Sequence, residues 1–303
     1  MTDNLRGALL MMGAMAAYVL NDATIKALAE GLPTFQVVAL RGVAATAALA
    51  VLARATGAWR LPIPPADRRG VALRCAAEVA AFVPFVLALT HMPLADVTAI
   101  LQAVPLTITA AGAVFLGEAV GWRRWTAIGV GFAGVLMIVQ PGGAGFSPWS
   151  GLALVTVAMV TLRDLVTRRL SRDVPSLKVA TFTAAAVGGL GAILSLGTPW
   201  QTVGAAQAGL ILAAALFILG GYVLSVMAVR VGEIAVVSPF RYTALVWGAV
   251  LGFAVFSEVP DAATLAGGAL VAATGLYTIW REGRVPRMRP TAPPPGGGPG
   301  DIA

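Results

Sequence analysis

Six ionisable side chains stand deep inside long apolar runs of this chain, away from their ends: Asp22, Arg41, Glu78, Arg163, Asp164 and Arg241. A charge placed in hydrocarbon costs roughly 2.5 to 3.5 kcal/mol on insertion scales. Each of the six must therefore find a partner or face a wet cavity. Acids and bases so placed can bind a charged solute, move against each other as gates, or hold helices together. They do not add up to a catalytic set. The chain has one histidine, His91, and one cysteine, Cys75. That excludes HExxH zinc chemistry and other multi-histidine metal sites, thiolate clusters and a disulfide framework. No catalytic residue, cofactor or metal is expected.

Helical spacing groups further side chains with these charges. Tyr18 and Asp22 are i, i+4; Glu78, Phe82 and Phe85 follow i, i+4, i+7. Thr98, Gln102 and Thr109 form another stripe, and Ser238, Arg241, Tyr242 and Leu245 a fourth, with Trp247 close by. Aromatic rings mixed with hydrogen-bonding groups are the lining of a small-molecule pocket. Gln102 implies either a cavity or a hydrogen bond between helices. Trp247 reads more simply as packing than as a stacking platform. The candidate site thus takes in Tyr18, Asp22, Arg41, Glu78, Phe82, Phe85, Thr98, Gln102, Asp164, Ser238, Arg241, Tyr242 and Trp247.

The elements that position these residues must be membrane spans. The chain is 58% hydrophobic and 12% charged, against about 25% charge in a soluble domain. A crossing helix needs about 20 apolar residues. Ten segments qualify: 7–28, 34–53, 71–90, 95–116, 123–140, 150–169, 177–196, 207–228, 234–256 and 264–281. Gly7 to Leu28 reads as a retained first span, being too long for a signal-peptide core. Proline and glycine mark most breaks, among them Pro33, Pro93, Pro141 and Pro175.

Orientation follows from arginine and lysine. Every second break is basic: Arg54 to Arg74, Arg123 and Arg124, Arg168 to Lys178, Arg230, then Arg281 to Arg289. The alternate breaks near 29–33, 91–94, 141–149, 197–206 and 257–263 contain neither residue. Both termini are expected to face the cytoplasm of a multi-pass inner-membrane protein. The same pattern explains the net charge of +7 without nucleic acid. On this topology Asp22 and Arg41 lie in the outer half of the membrane, and Glu78, Asp164 and Arg241 in the inner half. The expected pairs are Asp22 with Arg41, and Arg241 with Asp164 or Glu78. Structural pairing is the plain reading of them, and gating or substrate contact the functional one.

The sequence also repeats. Leu94 to Glu118 and Ile234 to Glu258 superimpose at an offset of 140, placing Glu118 on Glu258 and Gln102 on Tyr242. At an offset of 142 Asp22 falls on Asp164, and Lys26 on Arg168. The expected units are 1–141 and 147–284, followed by a disordered cytoplasmic tail over 285–303. Five spans per unit is an odd number, so the second unit enters from the opposite side. The fold class expected is an all-α membrane protein of ten helices in two inverted five-helix repeats, with the site between them near mid-membrane.

These residues resemble the drug/metabolite transporter superfamily, specifically its EamA-type members. The matching features are Arg41 in "ALRG", the small-residue run with a proline from Ala95 to Pro105, and "FLGE" from Phe115 to Glu118. "SPFRYTALVWG", "FSE" and "GLYTIWRE" repeat the scheme. The resemblance covers about residues 5–284. It implies export of small metabolites, amino acids foremost, with the aromatic amino-acid exporters of the YddG type as one candidate, and multidrug or amine efflux or metabolite uptake on the same fold as the alternative. The implied partners are a small-molecule solute and the lipid bilayer, in a monomer or weak dimer.

Other motifs carry less. Gly129 to Gly134 matches G-x-G-x-x-G but lies inside an apolar span, where close helix packing explains it, as it does Gly248 and Gly252. His91 reads as an interfacial histidine, Cys75 as inert, and Glu118 and Glu258 as fixing helix ends. An intramembrane enzyme would need paired acids or a Ser/His set at one depth, which Asp22 and Asp164 do not provide. A channel would favour oligomeric symmetry over a fused repeat. No nucleotide-binding motif suggests ATP drive.

Overall fold

A computed structural model describes residues 2–118, 120–142, 147–171 and 173–284, with backbone alone for Ile234, Ala235 and residues 281–284. Every long element among the described residues is a helix. The tail over 285–303 lies outside them. The helices are α1 (Asp3–Ala29), α2 (Thr34–Ala55), α3 (Arg68–His91), α4 (Leu94–Leu101), α5 (Val104–Leu116), α6 (Trp122–Val139), α7 (Pro148–Arg168), α8 (Ser176–Leu194), α9 (Ala205–Val231), α10 (Ile234–Val237), α11 (Thr243–Phe256) and α12 (Ala262–Arg284).

Punctuation sets their ends. Pro33, Pro93 and Pro175 each stand at an N-cap, and Pro148 at the first helical position. Proline has no N–H to lose there, and its fixed φ suits a helix start. Two helices end by the same device. The backbone turns left-handed at Gly117 (φ 67°) after α5 and at Ser257 (φ 56°) after α11. The next N–H then returns to a carbonyl six residues back: Glu118 to Gly112 at 3.2 Å and Glu258 to Gly252 at 3.0 Å. Gly117 and Ser257 are 140 residues apart, as are the two glutamates.

Nine stretches among the described residues are long and apolar enough to cross a membrane. They match nine of the ten expected spans. The tenth, now α6, falls outside this set because its 18 residues open Trp-Arg-Arg-Trp, and Arg123 and Arg124 consume its first turn. The chain is a multi-pass membrane protein on this count.

The principal packing partners are α1 with α9, α2 with α8, α3 with α7 and α6 with α12. Secondary contacts join α1 to α11, α7 to α4 and α5, α2 to α9, α3 to α8, and α4 to α11. Glycine allows the closest crossings. A Cβ on Gly42 would lie 2.3 Å from the Cα of Gly188, and one on Gly134 2.8 Å from the Gly267 carbonyl oxygen. Gly131 and Gly134 therefore serve helix packing, as expected of the G-x-G-x-x-G stretch, while Gly129 faces open space. Gly248 of the second motif receives Thr98.

Contacts between breaks sort the bundle into two ends. At one end Gln36 donates to the Gln201 carbonyl at 2.7 Å, Gln140 to Asp261 at 2.9 Å, and His91 stacks on Trp149 at 3.9 Å. At the other, Ser171 donates to Asp67 at 2.6 Å, Lys178 to the Leu61 carbonyl at 3.0 Å, and the Glu233 N–H to Asn4 at 2.9 Å. The first end gathers breaks without arginine or lysine, and the second gathers the basic ones.

Candidate functional site

Two spans are interrupted at matching places. α4 stops at Leu101, Gln102 and Ala103 form a turn, and α5 starts at Val104 with Pro105 in its first turn. In the second half α10 gives way to a 3-10 turn over Ser238–Tyr242, with Pro239 near its start, before α11 begins. A break frees backbone groups that only a cavity or protein neighbour can satisfy. The charged and aromatic candidates lie on α1, α2, α3 and α7 and on these two interrupted spans.

On α1, Tyr18 fits because α9 has no side chain at Gly221; a Cβ there would lie 2.7 Å from the ring. The Tyr18 hydroxyl shares a hydrogen bond of 3.3 Å with Ser225. Arg41 is buried, and its Nε donates to Asn21 Oδ1 at 2.9 Å. Asn21 in turn donates to Asp22 at 2.8 Å. The expected Asp22–Arg41 pair is thus a relay through Asn21, which sequence reasoning missed. Asn21 precedes Asp22 and is buried, so its neighbour was the available signal. The Arg41 guanidinium also stands 5.6 Å over the Phe82 ring, a cation–π contact. Phe82 and Phe85 lie 6.2 Å apart, tilted, and both are half-buried.

The second cluster corrects an expectation. Glu78 and Asp164 are paired, but by Arg163 and not by Arg241. Arg163 Nη1 reaches both Glu78 oxygens at 3.1 and 3.0 Å, and its Nε reaches Asp164 Oδ1 at 2.7 Å. Arg74, one turn before Glu78, adds a contact of 3.9 Å. Arg163 and Asp164 adjoin in sequence, so the fork can span both acids once α7 lies on α3. Arg241 is left exposed, and among the described residues it makes no ion pair or hydrogen bond.

The remaining candidates divide. Gln102 and Ser238 are half-buried at the two breaks. Thr98 is buried, donates to the Leu94 carbonyl at 2.7 Å and packs on Gly248, a role in helix contact. Tyr242 is buried against Gly275, and its hydroxyl has no hydrogen-bond partner among the described residues. Trp247 Nε1 is likewise buried without a partner, while its ring packs on the core of α1. Among the described residues no three metal-ligating side chains come together.

Two grooves on the bundle do not coincide with these residues. One of about 750 Å³ is walled by Phe115, Trp125, Phe132 and Leu162, and one of about 490 Å³ lies along α2 and α8 beside Trp200. Their walls are apolar apart from Arg169 and a few threonines. They suit acyl chains, and none of the clustered charges opens into them.

Comparison with known proteins agrees with a membrane carrier. Residues 5–140 match the model of the EamA-like transporter family. The S-adenosylmethionine uptake transporter of Rickettsia bellii is 27% identical over 202 residues, 64% of this chain and 66% of that one. This chain therefore spans just under two thirds of that relative. The pseudopaline exporter of Pseudomonas aeruginosa is 27% identical over 270 residues, 88% of this chain and 93% of the exporter. The riboflavin transporter of Rhizobium johnstonii is 27% identical over 205 residues, 66% of each chain. One crystal structure superimposes with a TM-score of 0.61 over 92% of this chain and 99% of its own, at 17% identity, a likeness of fold alone. The chain is thus similar to membrane transporters, and its first 140 residues to the EamA-like family.

Proposed function

We propose that this chain carries small amino-acid-type metabolites out of the cytoplasm by alternating access between two inverted five-helix halves. The observation that carries the reading is the packing scheme. Let α1 stand for α7, α2 for α8, α3 for α9, α4 and α5 for α10 and α11, and α6 for α12. The α1–α9 contact then becomes α7–α3, the α1–α11 contact becomes α7–α4 and α7–α5, and α2–α8, α4–α11 and α6–α12 become themselves. A bundle with that exchange symmetry can be open on one side or on the other at similar energy, and this is what alternating access requires.

On this reading α6 is the tenth span, and the halves are 1–141 and 147–284. The Arg/Lys-free end faces outward. The solute sits between the relay of Arg41, Asn21 and Asp22 and the cluster of Arg163, Glu78 and Asp164, beside the breaks at Gln102 and Ser238. Phe82 and Phe85 offer apolar surface for a side chain, which fits aromatic and other apolar amino acids. The relatives named for uptake favour a second reading, the same site working inward.

The test is counterflow. Purified protein in proteoliposomes is loaded with single amino acids, and exchange against labelled solute is followed from each side. Exchange of one or more amino acids supports the reading. Exchange confined to amines or flavins would refute the amino-acid assignment, and termini found on opposite faces of the bilayer would refute the inverted halves.

A further inference from the structure

We infer that Arg241 is the anchor for the carboxylate of the transported solute, an inference that rests on the carrier reading above. Other cations deep in the described spans are already engaged, whereas Arg6, Arg68, Arg69 and Arg230, which also make no ion pair among the described residues, stand in first or last helical turns. Lys26 is bound to Glu258, Arg41 to Asn21, Arg74 to Thr183 and Glu78, and Arg163 to Glu78 and Asp164. Arg241 lies within the apolar stretch Ser238–Phe256 and makes no ion pair or hydrogen bond among the described residues.

Its exposure is directed inward. The large exposed side chains of α11 are Val246, Val250, Phe253 and Val255. From Arg241 the first three are i+5, i+9 and i+12, on the far side of a helix of 3.6 residues per turn, while Val255, at i+14 on the near side, lies in the last turn of α11. Leu245, Gly248 and Gly252 are i+4, i+7 and i+11, on the near side. Gly248 and Gly252 are the positions that meet Thr98 and Leu94 of α4. Arg241 thus continues the face turned to α4, at the level where α4 has ended and Gln102 begins the break. The turn that bears it packs against α1 and α12.

Carboxylate fits this position better than phosphate does. A guanidinium gives a carboxylate two parallel N–H donors in the geometry of its two oxygens. Asp22, Glu78 and Asp164 would oppose a dianion more than a single charge.

The test uses the full chain in proteoliposomes. Matched pairs differing only in the carboxylate compete for exchange: L-phenylalanine with phenethylamine, L-leucine with isoamylamine, and L-lysine with cadaverine. Inorganic phosphate is the control anion. The acid of a pair should compete and its amine should not. Arg241→Gln should weaken the acid about ten- to a hundredfold, the range for a hydrogen-bonded charge, with Arg241→Lys falling between. Equal competition by acid and amine, an unchanged Arg241→Gln, or stronger competition by phosphate would overturn the inference.

A second arm does not depend on the solute. In a Cys75→Ser background, Arg241→Cys should react with the membrane-impermeant 2-sulfonatoethyl methanethiosulfonate. Failure to react overturns the site. If no amino acid exchanges while position 241 reacts, the amino-acid reading fails and the wet position of Arg241 stands.

Discussion

Lys26 and Glu258 are joined by an ion pair that ties the end of α1 to the end of α11, and Arg168 and Glu118 repeat it between α7 and α5. Shifted by 142 residues Lys26 falls on Arg168, and shifted by 140 Glu118 falls on Glu258. The two pairs differ in closure. Lys26 is nearly buried and also donates to the Met92 carbonyl at 2.5 Å, while Glu258 accepts the Leu94 N–H at 2.8 Å. The other pair is 3.4 Å long, with side chains 49% and 45% exposed. One end of the bundle is thus latched, and its counterpart at the other end is loose.

Lys26→Met should therefore cost about 3 to 5 kcal/mol, because it strands Glu258 in a largely buried site. Arg168→Met should cost about 0 to 1 kcal/mol, as exposed pairs do. Thermal unfolding of both variants in detergent reads the difference, and equal costs would refute the asymmetry.

Arg163 holds two acids at once. Arg163→Met should destabilise the protein by about 3 to 5 kcal/mol. Glu78→Gln in the same background should recover part of that loss, since one stranded charge is removed. A double-mutant cycle read by chemical denaturation gives the coupling. Additive losses would mean that Arg163 does not bridge the acids.

Arg41 reaches Asp22 through Asn21. Asn21→Ala and Arg41→Ala should each lower transport about tenfold or more with the protein still inserted, and the double variant should do little further harm. Multiplied losses would separate the two residues, and exchange at wild-type rate in both would remove the relay from the mechanism.

Gly42 and Gly188 leave no room between α2 and α8 for a Cβ. Gly42→Ala should cost about 1 to 3 kcal/mol through displaced backbone. Gly129→Ala, which meets nothing within 4 Å, should be neutral or stabilising. Melting temperatures of the two variants, set against wild type, check this directly.

Asp261 caps α12. Its carboxylate accepts the Thr264 N–H at 2.6 Å, and that backbone bond holds its pKa below the usual carboxylate range, with Gln140 adding to the effect. A depressed pKa gives stability that is present above the unfolded value of about 3.9 and lost as pH falls through the folded value. Asp261→Ala should cost about 1 kcal/mol at neutral pH and nothing once the carboxylate is protonated. A cost that persists at pH 2 would exclude the ionised cap.

Part of this architecture could be read directly. Apolar length located nine spans, because crossing hydrocarbon is a one-dimensional demand that a run of residues meets by itself. The alternation of basic breaks foretold which ends meet, while the latch of Lys26 on Glu258 was not foretold. Partner choice was less legible. Glu78 met Arg163 where Arg241 was expected, and Asn21 entered between Arg41 and Asp22.

The sequence by itself determined the crossing segments and the alternation of basic with Arg/Lys-free breaks, since each depends on composition along the chain. Only the tertiary structure decided which charge answers which, and that Arg241 is left without a partner among the described residues. Lipid and protein interior are equally apolar, so hydropathy separates spans from breaks but does not separate the face toward lipid from the face toward a neighbouring helix. That distinction arises when the helices pack, with glycines such as Gly42, Gly188 and Gly221 setting how close they come.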